Sequence, residues 1–176
     1  MERVHSNAPG DNRDDNSELD SIHPSLWPYI PSMKWTPPRS PHNLIQEELW
    51  PNEWKILVSC MLLNLTTRKQ LDKIRVEFFN KYPDAAAMAA ADEDCLREMI
   101  KSLGLANKRA KTLIRFSREY LEKEWKTAKD LHGCGKYADD SWRIFCKGEW
   151  QSVEPNDHAL NKYCGWLVDD MEKIDA

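Results

Sequence analysis

From residue 43 onward apolar positions recur at helical spacing, and no stretch keeps the period of two that marks a half-buried strand. Asn43-Leu44-Ile45-Gln46 reads as a capping box that opens a short helix. Trp54 to Leu65 is a near-continuous apolar run of helix formers, suited to a helix buried on all sides. Thr66 or Thr67 caps the next helix, in which Leu71, Ile74, Phe78 and Phe79 fall on one stripe. Asp84 starts an Ala-rich helix after Pro83, and Asp92 starts another that carries Leu96, Met99 and Ile100 and stops at Gly104. Asn107 through Lys123 follows, with Ala110, Leu113, Ile114, Tyr120 and Leu121 on one face. A short helix leads into Leu131, a turn at Gly133 and Gly135 hands over to Tyr137–Lys147, and a last helix begins near Asp157. The predicted fold class is all-α.

Upstream, the pattern disappears. Residues 1–25 are rich in Asn, Asp, Ser and Pro with scattered charge, which predicts a disordered tail without the basic start and apolar stretch of a secretory leader. Residues 26–41 read as an extended wrap punctuated by Pro28, Pro31, Pro37, Pro38 and Pro41, anchored by Trp27, Tyr29 and Trp35. A single domain is therefore expected over residues 26–176.

The bulk numbers narrow the class without naming it. A chain of 176 residues with 41% hydrophobic positions and eight tryptophans can bury one good core. It has no apolar run of the ~18 residues that a membrane span needs. Five cysteines (Cys60, Cys95, Cys134, Cys146, Cys164) without a close pair read as free thiols. The net charge of −4 argues weakly against nucleic acid, yet its distribution reverses that impression. Between Lys101 and Lys147 stand twelve Lys/Arg against six Asp/Glu, either a footprint for DNA or an ordinary solvated face.

The densest chemistry lies between Leu131 and Asp157. In Leu131-His132-Gly133-Cys134-Gly135-Lys136-Tyr137, two glycines bracket one residue between helical stretches. Such a turn exposes backbone N–H groups that can take a phosphate oxygen at a helix N-terminus. Gly-x-Gly also serves as a plain helix-ending turn, and only its placement raises it above that. Asp157, in Pro155-Asn156-Asp157-His158, is equally readable as the N-cap of the last helix or as a catalytic carboxylate. The two roles are compatible, because a cap holds the carboxylate rigidly.

These segments, with Trp35-Thr36-Pro37-Pro38-Arg39-Ser40-Pro41, Gln46-Glu47, Leu103-Gly104-Leu105, Arg109-Ala110-Lys111-Thr112, Arg143-Ile144-Phe145-Cys146 and Asn161-Lys162-Tyr163, resemble the helix-hairpin-helix DNA glycosylase superfamily, and within it the thymine/uracil mismatch glycosylases. The resemblance runs to about Trp166. It implies roughly nine to ten helices in two subdomains, with the active site in the cleft between them. It makes Asp157 the catalytic carboxylate, Tyr137 the wall of the pocket for a flipped pyrimidine, and Gln46 the side chain that hydrogen-bonds the base. Leu103-Gly104-Leu105 becomes the loop that enters the duplex, and Gly133 and Gly135 become the phosphate-gripping turn, with a monovalent cation held at the hairpin backbone near Leu131 and Gly133.

Further consequences concern the reaction type. In bifunctional members a lysine stands two residues after the second hairpin glycine; here that residue is Tyr137. Lys136 lies one residue earlier, rotated by about 100° on a helix, so it is expected to meet phosphate or solvent. A monofunctional enzyme is implied, which releases the base and leaves an abasic site. Two positions depart from the family: Leu65 stands where an arginine usually fills the gap left by the flipped nucleotide, and Ala159 stands where a lysine is common. The implied partner is double-stranded DNA with G·T or G·U mismatches, with CpG as a candidate context. A monomer without iron–sulfur cluster or other cofactor is expected, away from membranes and resident in the nucleus. Two alternatives stay open: a diverged module that binds mismatched or damaged DNA without cutting, and a glycosylase of the same fold for another base.

Overall fold

The computed structural model describes residues 35–174, with side chains through Asp170, and every regular element among them is helical. The expected tail over residues 1–25 and the anchors Trp27 and Tyr29 lie outside the described residues. None of the described helices is long and apolar enough to cross a membrane.

Helix α1 (Ile45–Leu49) is capped differently from the expectation. Leu44, not Asn43, precedes its first turn, and Asn43 turns to φ +51°. Glu47 reaches back to accept the N–H groups of Leu44 (2.6 Å) and Ser40 (2.5 Å). This one-residue shift buries Gln46 (1% exposed) and leaves Glu47 as the capping side chain. Helix α2 (Glu53–Leu63) is started by Asn52, whose side chain accepts from the Lys55 N–H, and Trp54 and Ile56 through Leu62 are all buried. It ends two residues before the apolar run does, because the chain leaves the helix at Asn64 and Leu65 takes φ +61°.

Thr67 and Gln70 form a reciprocal capping box on α3 (Arg68–Lys81), which buries Leu71, Phe78 and Phe79. Asp84 caps α4 (Ala85–Ala89) and Asp92 caps α5 (Glu93–Ile100). A 3-10 turn over Lys101–Leu103 closes at Gly104 with φ +76°. Helix α6 (Ala106–Glu122) packs against α4 and α5 and also meets α2, while α2 packs on α7 (Lys136–Trp142). Of the expected apolar face Ala110, Leu113 and Ile114 are buried and Tyr120 is half-buried, joined by Arg109, Phe116 and Ser117, whereas Leu121 is exposed. Trp54 crosses to this helix and donates to the Ser117 hydroxyl (3.0 Å).

Past α7 the helix loosens into a π-type turn over Arg143–Lys147 and stops at Gly148 (φ +73°). A methyl group on Gly148 would meet the Trp35 ring at 2.8 Å, so the Pro-rich strand is seated by a missing side chain. Besides the Ser40–Glu47 bonds, the segment is tied by the Tyr163 hydroxyl, which donates to the Pro38 carbonyl (2.8 Å). Helix α8 (His158–Ile174) carries that tyrosine and completes the core through Leu160 and Leu167.

Candidate active site

Residues from α2, the Asn64–Thr66 loop, α6, the Gly133/Gly135 hairpin, α7 and the start of α8 enclose an open cavity of about 710 Å³. That volume is in the range of pockets which enclose a small organic ligand. Asp157, Tyr137, Gly133, Gly135, Lys136, Leu65 and Leu105 all border it, so the structure brings together seven of the residues singled out from sequence.

Asp157 is fixed by its own helix. One carboxylate oxygen, Oδ1, accepts the N–H groups of Ala159 (2.9 Å) and Leu160 (3.0 Å). The turn before it is pinned as well, since the Asn161 side chain donates to the carbonyls of Pro155 (2.7 Å) and Asp157 (3.0 Å). Among the described residues no hydrogen bond engages Oδ2, which leaves one oxygen for whatever occupies the cavity. The cap and the pocket carboxylate are thus one residue in one conformation.

Tyr137 and Cys60 form the inner wall. Behind them Gln46 directs its amide nitrogen to the Tyr137 hydroxyl (3.0 Å), the Ser141 hydroxyl (3.0 Å) and the Cys60 sulfur (3.8 Å). Gln46 itself does not border the cavity. Its amide reaches the pocket only through Tyr137. Burial pushes the Tyr137 phenol above its ordinary range, with the Cys60 thiol and the Asp157 charge adding to the effect. Burial likewise pushes the Cys60 thiol up to about 12, so it stays a neutral wall group rather than a nucleophile.

The hairpin combines two different glycines. Gly133 sits at φ +84°, and a Cβ there would lie 2.4 Å from Thr112 Cγ2 and 3.1 Å from Met61 Sδ. It is required by both conformation and packing against α6 and α2. Gly135 is extended, and a Cβ there would meet nothing within 4 Å. Neither glycine N–H donates to a protein acceptor among the described residues. The Leu131 carbonyl accepts only the Cys134 N–H (3.2 Å) and keeps a lone pair. Among the described residues no group of three or more His, Cys, Asp or Glu is placed to hold a metal ion.

Lys136 is engaged rather than free: its Nζ pairs with the buried Asp140 carboxylate at 2.7 and 3.0 Å. Similar local pairs absorb much of the basic excess over residues 101–147, including Lys111–Glu93, Arg115–Glu119, Lys129–Asp139 and Arg143–Glu149. Solvent-exposed pairs such as Lys111–Glu93 stabilise a fold by under about 1 kcal/mol, whereas Asp139 and Asp140 are buried, so drawing Lys129 or Lys136 away would leave a buried charge unpaired.

The rim differs from the floor. Leu65 (84% exposed) and Leu105 (56% exposed) protrude at the cavity mouth, each in the left-handed region with φ +61° and +52°. That conformation costs an L-residue roughly 1–2 kcal/mol, so surrounding contacts must hold it. Leu103, the other leucine of the expected inserting loop, is a correction: it is buried in the core, and only its carbonyl faces the loop contacts.

Sequence reasoning missed Arg109, which is buried on α6. Its guanidinium donates to the carbonyls of Leu103 (2.7 Å), Gly104 (3.1 Å) and Asn64, and to the Thr66 hydroxyl (2.6 Å). Burial lowers its pKa from the ordinary arginine value. The signal was present in the helical period, since Arg109 stands one turn before Leu113 and two before Phe116 on the inward face. Ser141, one turn along α7 from Tyr137, was missed for lack of any motif around it.

An all-helical domain with a glycine hairpin and a capped aspartate on one cavity defines a class, and the comparisons agree with it. The family described as HhH-GPD superfamily base excision DNA repair protein matches residues 58–168, and this chain belongs to that family. Methyl-CpG-binding domain protein 4-like protein of Arabidopsis thaliana is 45% identical over 137 residues, covering 78% of this chain and 31% of that protein. Thymine-DNA glycosylase of Aeropyrum pernix is 37% identical over 92 residues, or 48% of this chain and 41% of the relative. A solved thermostable thymine-DNA glycosylase superimposes with a TM-score of 0.52 at 27% identity, over 55% of this chain and 48% of the other. The chain therefore spans about a third to a half of the length of these relatives.

Proposed function

We propose that this chain is a monofunctional DNA glycosylase which hydrolyses the N-glycosidic bond of thymine or uracil mispaired with guanine in double-stranded DNA. The observation that carries the reading is Asp157, with one oxygen locked by α8 and the other left for the cavity that Tyr137 and the hairpin also border. Relatives named thymine-DNA glycosylase and thymine/uracil-DNA glycosylase support the choice of base.

A base inside a duplex is unreachable, so it must be rotated out at a cost of a few kcal/mol. A G·T or G·U mispair lowers that cost and thereby contributes selectivity. Leu65 and Leu105 fill the vacated stack, as apolar wedges do in other DNA-binding proteins. The N–H groups of Gly133 and Gly135 hold a backbone phosphate, and a monovalent cation at the Leu131 and Gly133 carbonyls would add positive charge there. On entry the pyrimidine meets Tyr137, whose hydroxyl the Gln46 amide holds from behind, so Gln46 acts on the base through the tyrosine that lines the pocket. As the glycosidic bond lengthens, positive charge grows on the deoxyribose, and Asp157 Oδ2 stabilises it and orients the attacking water. Lys136 is held by Asp140, and its neighbour Tyr137 occupies the pocket wall, so the Lys136 amine does not attack the sugar. The product is a free base and an abasic site.

Asp157→Asn keeps a capping oxygen and removes the charge. Under single-turnover conditions thymine release from a G·T duplex should fall by at least about a hundredfold, while affinity for the same duplex changes little. Retained turnover in this variant would remove Asp157 from the reaction and with it the proposed mechanism.

A further inference from the structure

We propose that Arg109 is a positioning residue that fastens the Asn64–Thr66 and Leu103–Leu105 loops together, so that Leu65 and Leu105 act as one two-pronged wedge; this rests on the glycosylase reading above. The two leucines come from loops about forty residues apart in the chain, yet both stand at the same cavity mouth, both exposed and both at positive φ. The Arg109 guanidinium brackets Leu65, touching Asn64 and Thr66, and holds the two carbonyls that precede Leu105. One guanidinium nitrogen, Nη2, donates to the Asn64 carbonyl just before Leu65 and to the Thr66 hydroxyl just after it. The other, Nη1, donates to the Leu103 and Gly104 carbonyls just before Leu105. The Arg109 N–H itself donates to the Leu105 carbonyl at 2.9 Å, and the Thr66 hydroxyl bridges to the Leu103 carbonyl at 3.3 Å.

A planar fork of fixed donors can set both loops at once, which a flexible ammonium cannot. Among the described residues all the acceptors are neutral oxygens, so the buried cation is arranged for geometry and not for a salt bridge. The arrangement also answers how a leucine can serve at position 65. A single leucine cannot bridge phosphates, but two apolar prongs at a fixed separation can fill the gap left by an extruded nucleotide from both sides of the stack. Arg109 also borders the cavity, but its side-chain donors are turned to the loop oxygens, so it acts through the two leucines.

The test compares Arg109→Met and Arg109→Lys with wild type on two substrates, a G·U duplex and the same uracil in single-stranded DNA, which needs no extrusion. In parallel, 2-aminopurine placed beside the mismatch of a G·T duplex reports unstacking, and melting temperature reports folding. Arg109→Met should lose roughly tenfold or more in single-turnover rate on the duplex, keep the single-strand rate within about threefold, and lose most of the 2-aminopurine rise. Arg109→Lys should fall between the two and carries the test if Arg109→Met does not fold. In the Leu65→Ala/Leu105→Ala background, adding Arg109→Met should lower the duplex rate no further than about twofold, since coupled residues are not additive. Equal losses on both substrates, or no loss on either, would overturn the proposal. If wild type releases no base from any substrate, the glycosylase reading fails and the fluorescence decides alone: a rise with wild type that Arg109→Met abolishes supports the clamp, and an unchanged rise or none overturns it.

Discussion

The floor and the rim of the cavity are built by opposite means. At the floor, each residue meets a need of its own stretch of chain: Asp157 caps α8, Gly133 makes a turn at φ +84°, and Tyr137 lies in the first turn of α7. At the rim, the side chains of Leu65 and Leu105 are exposed and their backbones occupy a costly region. Their conformation is held from a third element, by Arg109 of α6. Local rules therefore account for the floor, and only tertiary contacts account for the rim. A site divided in this way can vary its rim without disturbing its floor.

That contrast can be broken by comparing substitutions on the two sides. The largest expected effect is Gly133→Ala: strain at φ +84° plus contact with Thr112 should destabilise the fold by roughly 2–4 kcal/mol, read as a lower midpoint in chemical denaturation. Gly135→Ala is the control, because open space surrounds its Cβ position. It should melt within a few degrees of wild type while weakening DNA binding and flattening its salt dependence, if the turn holds a phosphate. A smaller effect is expected at the rim, where Leu65→Ala should reduce the duplex rate by several-fold with no loss of stability, the side chain being almost wholly exposed. The smallest is Leu65→Arg, which should raise duplex affinity by a few-fold through one added phosphate contact, lost again at high salt. An unchanged affinity would mean that position 65 does not face the DNA backbone.

The same division decides what could be read from the chain. The helices, the caps at Thr67, Asp84, Asp92 and Asp157, and the turn at Gly133 were legible because side chain and backbone need are neighbours in sequence. The cap of α1 slipped by a residue because Glu47 answers to Ser40 seven positions away. Leu121 falls on the apolar stripe yet is exposed, and Arg109, to which the sequence assigns no side of the helix, is buried because loop carbonyls there need donors. Leu103 and Leu105 look interchangeable in sequence, yet a 3-10 turn ending at Gly104 sends one into the core and the other to the rim. Gln46 was legible as a polar residue of the site, but its position behind Tyr137 was not.

The most direct test of the central claim is a base-release assay on duplexes that carry G·T, G·U, A·U or G·C at one position, each read with and without hot alkali. Cleavage of the G·T and G·U strands only after alkali is the predicted result, as expected for base release by hydrolysis with Asp157 and no amine attack from Lys136. Strand breaks without alkali, or tight mismatch binding with no release from any duplex, would contradict it.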